Sequence, residues 1–346
     1  MRAANITRAA RAALPLIALS VALPARTGGQ EAATDNRMRA RPLVASDTAF
    51  VIRVDGLVPE NIARDPFTRG FFIGDVRGHR ILHRASDGWV REFAGESVVR
   101  GAVLGMKPDS ARRLLWVNVM ADSARTSTAL LALDLASGAL VHRYVPADSL
   151  SPHLFNDLVI ASDGAVLLTD SEAGALYRLD HPADSLRAWL RPSGGFTHPN
   201  GITLDDAART LFVAHAEGVS AIDLRTRRVR RLEPPEGHTI AGLDGLYSIG
   251  GLLVGIQNEG PMRDRVVAFR VTAHGRIAEV GELERAHPAY HIPTTGAVTG
   301  DTLLYIANSQ LDRLRAPRRG ERLPAADPIV VLRLQIPRLP VGTDSR

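Results

Sequence analysis

The chain has 346 residues, 45% of them hydrophobic, with a formal net charge of +5 and no cysteine. That length and composition bury a large core, while the lack of thiols excludes disulfides and thiolate metal sites. A sequence pI near 10.1 raises the question of nucleic acid. The basic residues, however, are almost all Arg, are spread along the whole chain and are offset by acids. The two dense clusters, residues 225–231 (RTRRVRR) and 313–319 (RLRAPRR), carry no interleaved aromatics and read as solvated strands or loops rather than phosphate-binding patches.

The N-terminus reads as an export signal. Arg2, Arg8 and Arg11 form a positive region, residues 12–23 form an apolar run too short to span a bilayer comfortably, and Ser20, Ala22 and Ala25 offer cleavage options. Residues 1–25 are therefore expected to be a signal peptide and 26–47 a linker without periodicity, followed by a folded unit over 48–338 and a tail over 339–346. The expected location is secreted or periplasmic, with no membrane association after cleavage. A retained membrane anchor is the alternative.

From residue 60 onward six segments align on one another. They begin at Glu60, Leu104, Asn156, Asn200, Asp244 and Thr295, with spacings of 44, 52, 44, 44 and 51, and each holds a polar turn followed by an apolar strand run. A repeat of this length with several strands per copy marks a β-propeller, and six copies make it an all-β, six-bladed one. The last copy supplies strands near residues 296–298, 303–307 and 329–334, which leaves one outer place unfilled. Residues 50–54 (FVIRV) alternate as a strand does and are expected to fill it, closing the ring with the N-terminus and covering an exposed sheet edge.

Because every blade turns the same strand toward the axis, the six aligned residues become a ring. Four of them, Glu60, Asn156, Asn200 and Asp244, offer hard oxygen ligands with two formal negative charges, a set suited to Ca²⁺, although another divalent cation is compatible. Asn-Asp, Asn-Gly and Asp-Gly are also ordinary turn dipeptides. That alternative explains less well why they recur in register, or why Glu60 shares their column.

The motifs VPENIARDP, FNDLVIASDGAVLLTDS, HPNGITLD and GLDGLY resemble the superfamily of senescence marker protein, gluconolactonase and diisopropyl fluorophosphatase over roughly residues 50–335. A weaker similarity to the royal jelly and Yellow propellers runs through LGMKPD and the stretch leading into FNDLV. The first resemblance implies that Glu60, Asn156, Asn200 and Asp244 hold a catalytic divalent cation, usually Ca²⁺, in the central channel. It also places Asp157 near the metal, so Asp244 and Asp157 are the candidate base or nucleophile. His198 and His291 are possible proton carriers and also ordinary loop histidines; Asp170 and Glu172 are expected to fix a turn, and Arg100 to lie on the surface. One departure stands out: where sugar-lactone hydrolases of this superfamily have an Arg, this chain has Leu154, flanked by His153 and Phe155. With Leu104, Phe155, Phe196, Tyr247 and Tyr290, that substitution points to an apolar mouth, unless the aromatics are blade core.

The expected function is a calcium-dependent hydrolase of lactone, ester or phosphotriester bonds, acting as a monomer on a small-molecule substrate with no nucleic-acid partner. The alternatives are a non-enzymatic propeller that keeps calcium and binds a small ligand or protein, and an isomerase or lyase on the same scaffold.

Overall fold

The computed structural model describes residues 43–120, 128–146, 152–182, 185–205, 207, 209–272, 275–314 and 325–337. Six four-stranded antiparallel sheets follow one another in chain order, which makes a six-bladed β-propeller. The inner strands are Pro59–Arg64, Ala102–Asp109, Phe155–Ile160, Ile202–Leu204, Leu243–Ile249 and Gly296–Thr299, in blades one to six. Helix is confined, among the described residues, to Glu96–Val99 and a 3-10 turn at Leu311–Leu314. No described helix is long and apolar enough to cross a membrane.

Ring closure is carried by the N-terminal strand. Asp47–Ile52 pairs antiparallel with Ile329–Gln335, so blade six contains both ends of the propeller. The strand begins three residues earlier than the alternation FVIRV indicates and ends before Val54. The segment before it is also engaged. Leu43 pairs with Arg285, and buried Ser46 donates its backbone N–H to Glu284 at 2.9 Å. Residues 43–46, read as part of a linker, are thus docked on blade five, because the buried Glu284 carboxylate needs donors and that segment supplies them. The proposed signal peptide and the rest of the linker lie outside the described residues.

Packing explains why the blade strands read as continuous apolar runs. Six buried clusters occupy the six interfaces between adjacent blades, and the last joins Ile306 and Val331 of blade six to Ile62 and Ile73 of blade one. Successive strand residues point to opposite faces. In blade four, Leu211 therefore packs toward blade three while Phe212 packs toward Phe269 of blade five. With both faces buried, no polar alternation survives in the second strands; Leu114–Met120 is buried throughout.

Candidate metal centre

The aligned residues occupy one end of the channel, and a local irregularity puts four of them there. Pairing between the inner strand and its neighbour shifts between Pro59 and Asn61, Val103 and Met106, Phe155 and Leu158, and Leu243 and Leu246. Each shift brackets a ring position: Glu60, Leu104, Asn156 or Asp244. A bulge of this kind releases a residue from the ladder and re-aims its side chain. Two glycines permit the close approach of neighbouring inner strands at this level. A Cβ on Gly105 would lie 2.4 Å from the Asn156 carbonyl oxygen, and one on Gly201 would lie 2.3 Å from that of Asp244.

The ring is pinned from blade to blade. Carbonyl oxygens of three ring residues each accept a hydrogen bond from the preceding blade: Glu60 from Thr295 Oγ1 (2.8 Å), Asn156 from Asn118 Nδ2 (3.0 Å) and Asn200 from Thr169 Oγ1 (2.8 Å). Thr295 also accepts from Asn61 Nδ2 at 3.0 Å. Its hydroxyl is therefore engaged in holding Glu60, and the sixth ring position is a support. Leu104 is buried in an apolar cluster with Val58, Leu154 and Leu314.

Of the remaining four, Asn200 and Asp244 each present a buried oxygen without a partner. Asn258 Nδ2 donates to Asp244 Oδ2 at 2.6 Å, while Asp244 Oδ1 and Asn200 Oδ1 are buried without any hydrogen bond. Asn156 uses Nδ2 on Ser171 Oγ at 3.1 Å, which leaves its amide oxygen as the atom that could meet a cation. Burial, and then the charges of Asp244, Asp157 and Glu259, hold the Glu60 carboxyl well above its ordinary pKa. Burial and Glu259 push Asp244 up to about 7, against the lowering effect of Asn258 and Asn200. Among the described residues no three His, Asp or Glu side chains form a ready metal cluster, so the donor set rests on two carboxylates and two amides. Orphaned oxygens on Asn200 and Asp244 beside mutually repelling, desolvated carboxylates fit a hard divalent cation. A cleft of ≈ 20 Å³, lined by Asn156, Asn200, His198 and Glu259 among others, opens beside the ring. It has room for about one water-sized body.

The other singled-out residues take varied places. Asp157 is buried, its Oδ1 accepting from the Leu158 N–H (2.8 Å) and its Oδ2 from the Ile202 N–H (3.4 Å), so both oxygens are occupied. Burial raises its pKa, while Lys107 and those N–H groups oppose the rise. His198 lines the cleft in a left-handed conformation, whereas His291 pairs with Asp312 at 3.1 Å, about half exposed. Asp170 does fix a turn: it accepts from the N–H groups of Leu154 and Ala173 and from His153 Nδ1 at 2.7 Å. Arg100 is exposed.

The apolar mouth needs correcting. Phe155 and Phe196 are core residues between blades, Tyr290 hydrogen-bonds Tyr305, and Tyr247 is buried between blades five and six with its hydroxyl accepting from the Gly296 N–H. The apolar group at ring height is a buried aliphatic cluster instead, Val58, Leu104 and Leu154 with Leu311 and Leu314 brought over from blade six. Aromatics on four-stranded blades fill the wide inter-blade gaps, which is why their sequence positions misled.

Glu259 and Asn258 are the residues that sequence reasoning missed. Glu259 is exposed over the residue as a whole, yet the protein around its carboxyl raises its pKa, with His198 opposing. Both follow blade five's second strand in the run Gln257-Asn258-Glu259. The corresponding turn of blade three, Asp170-Ser171-Glu172, likewise supplies a ring support, Ser171, and that parallel was the available signal.

No family model matches the chain, and no curated protein matches it either. Solved structures do. An inactive variant of virginiamycin B lyase from Staphylococcus aureus, solved with quinupristin, matches 82% of this chain and 83% of its own at 13% identity, with a TM-score of 0.58. A gluconolactonase from Xanthomonas campestris matches over 85% and 99% at 18% identity and a TM-score of 0.55. A luciferin-regenerating enzyme matches over 85% and 96% at 16% identity and a TM-score of 0.55. Structural neighbours thus include gluconolactonases of the superfamily that the motifs resemble, and at these identities the likeness establishes the six-bladed fold.

Proposed function

We propose that this chain is an exported, metal-dependent hydrolase of lactone, ester or phosphotriester bonds, with Ca²⁺ held by Glu60, Asn156, Asn200 and Asp244. The observation that carries the reading is the pair of buried, unpartnered oxygens, Asn200 Oδ1 and Asp244 Oδ1, set among carboxylates that repel one another. When bound, a divalent cation supplies Lewis-acid polarisation of an acyl or phosphoryl oxygen.

The chain's own groups do the rest. Asn258 fixes the Asp244 carboxylate through Oδ2, which leaves Oδ1 as the atom to take a proton from water or to attack the substrate. Asp157, tied to two backbone N–H groups, is better suited to holding the blade-three and blade-four strands together while its charge acts on the ring. His198 and Glu259 stand at the cleft, where they serve proton exchange with solvent. The buried cluster of Leu104, Leu154 and Leu314 beside the ring offers no hydrogen-bonding side chain to a polyhydroxylated sugar lactone, which favours a lipophilic acyl or ester group.

The test is a panel of aliphatic and sugar lactones, aryl esters and phosphotriesters, assayed with chelator, with Ca²⁺ restored, and with Asp244→Asn. Turnover that chelator abolishes, Ca²⁺ restores and Asp244→Asn lacks supports the reading. Calcium binding without turnover on any member of the panel favours the non-enzymatic propeller. A lyase is the second reading, favoured by the lyase among the structural neighbours. Hydrolysis incorporates solvent ¹⁸O into the product, and elimination does not. N-terminal sequencing of the secreted protein tests export.

A further inference from the structure

The opposite end of the channel opens into a funnel of ≈ 400 Å³, lined by residues of five blades, among them Arg64, Lys107, Thr203, Tyr247 and Ala297. Along blade one's inner strand Glu60 and Arg64 are four residues apart, which puts the Arg64 lip of this funnel on the order of 13 Å from the ring, while its floor reaches Gly296, next to Thr295. Its volume lies within the range of small-molecule sites, roughly 300–1,000 Å³.

Two cations in this funnel lack a counter-ion. Neither Arg64 nor Lys107 has a carboxylate at ion-pair distance among the described residues. The acids beside them in sequence are engaged elsewhere: Asp65 with Thr68 and His83, Asp109 with Arg112 and Trp116. Asp157 feels Lys107 only through space, its oxygens being taken by backbone N–H groups. The Lys107 ammonium lies 5.8 Å from the centre of the Tyr247 ring. Of 42 Lys and Arg residues, Lys107 is the single lysine of the chain, and both it and Arg64 are half-buried. Pro66, Pro108 and Val298 add accessible apolar groups to the lining, while Ile62, Met106 and Tyr247 lie buried behind it.

We propose that this funnel is a second ligand site, entered from the end of the channel opposite His198 and Glu259, for a small organic carboxylate with an aromatic or branched apolar body. The guanidinium of Arg64 offers a planar pair of donors and Lys107 a point charge. Pro108 and Val298 receive the apolar body. Inorganic anions match only the charge and leave the apolar lining unused. The inference is independent of any catalytic role for the ring.

Benzoate is the probe, with benzyl alcohol and inorganic phosphate as controls, titrated calorimetrically into the unmodified Ca²⁺-loaded protein. Placement is read by reductive ¹³C-methylation, which labels the single ε-amine and the N-terminal amine and keeps Lys107 cationic. The expected result is one saturable benzoate site with a Kd at or below about 1 mM. The Lys107 methyl resonance should shift along the same isotherm. Arg64→Met and Lys107→Met should each weaken benzoate by about tenfold or more while keeping wild-type circular dichroism. Benzyl alcohol and phosphate should bind far less. Absence of benzoate binding to the folded wild type, equal affinity in folded Arg64→Met, an unmoved Lys107 resonance, or phosphate binding as tightly as benzoate would each overturn the proposal.

Discussion

Blades one, three, four and five place Glu60, Asn156, Asn200 and Asp244 at the ring level, while blades two and six place Leu104 and Thr295 at the equivalent position. The first group leaves oxygens unsatisfied or mutually repelling. Thr295 is engaged in holding Glu60 and Asn61, and Leu104 in apolar packing. The difference teaches that the repeat fixes where a side chain stands, and that blade-specific neighbours decide what it does there. It also predicts that the two groups respond oppositely to substitution.

Loss of a charged ring residue should have the largest effect. Glu60→Ala should weaken Ca²⁺ by more than the ~10–100-fold that altering a supporting residue costs. Its metal-free form should be no less stable than wild type, because a repelling, desolvated carboxylate has been removed. Thermal melts with and without Ca²⁺ check both halves.

The same repulsion sets a pH dependence in the metal-free protein. Asp244 titrates near 7 when folded against an ordinary 3.8. At this carboxyl the native state therefore binds more protons than the unfolded state across that window, so its contribution to stability falls as pH rises from about 4 to about 7. Saturating Ca²⁺ should flatten the slope. A chelator-treated protein whose Tm rises over this range would break the comparison.

At the silent positions the effects should be on stability instead. Leu104→Asn adds an amide at ring height, yet it should bring no gain in Ca²⁺ affinity and should cost about 2–4 kcal/mol by opening the Leu154 and Leu314 cluster. Denaturant titration alongside calorimetry measures both. Thr295→Val keeps the shape and removes the bonds to the Glu60 carbonyl and to Asn61, at a cost of about 1–2 kcal/mol. Its effect on Ca²⁺ affinity should be smaller than that of Glu60→Ala.

The propeller was legible in the sequence because a blade is a local unit of some fifty residues, and its apolar runs recur with that spacing. Closure was legible for the same reason, since a missing strand in the last copy demanded FVIRV. The docking of residues 43–46 was not, because it depends on the buried Glu284 carboxylate, 238 residues from Ser46. The ring column was readable from alignment alone, but the bulges that aim it were not, since a register shift leaves no composition signal at Pro59 or Val103. Asn258, Ser171 and Asn118, which orient the ring, lie on second strands or just after them and act on another strand or on the next blade. The aromatics Phe155 and Phe196 misled because sequence shows size without direction, and both point between blades.

Calorimetric titration of Ca²⁺ into chelator-stripped protein, run in parallel on wild type and Asn200→Ala, tests the shared metal centre most directly. Asn200 is uncharged and its amide oxygen has no other partner, so its removal alters the donor set without altering net charge. The account predicts one Ca²⁺ per wild-type chain and an affinity reduced by about ten- to a hundredfold in the variant. No heat of binding in wild type, or equal affinity in the two proteins, would contradict it.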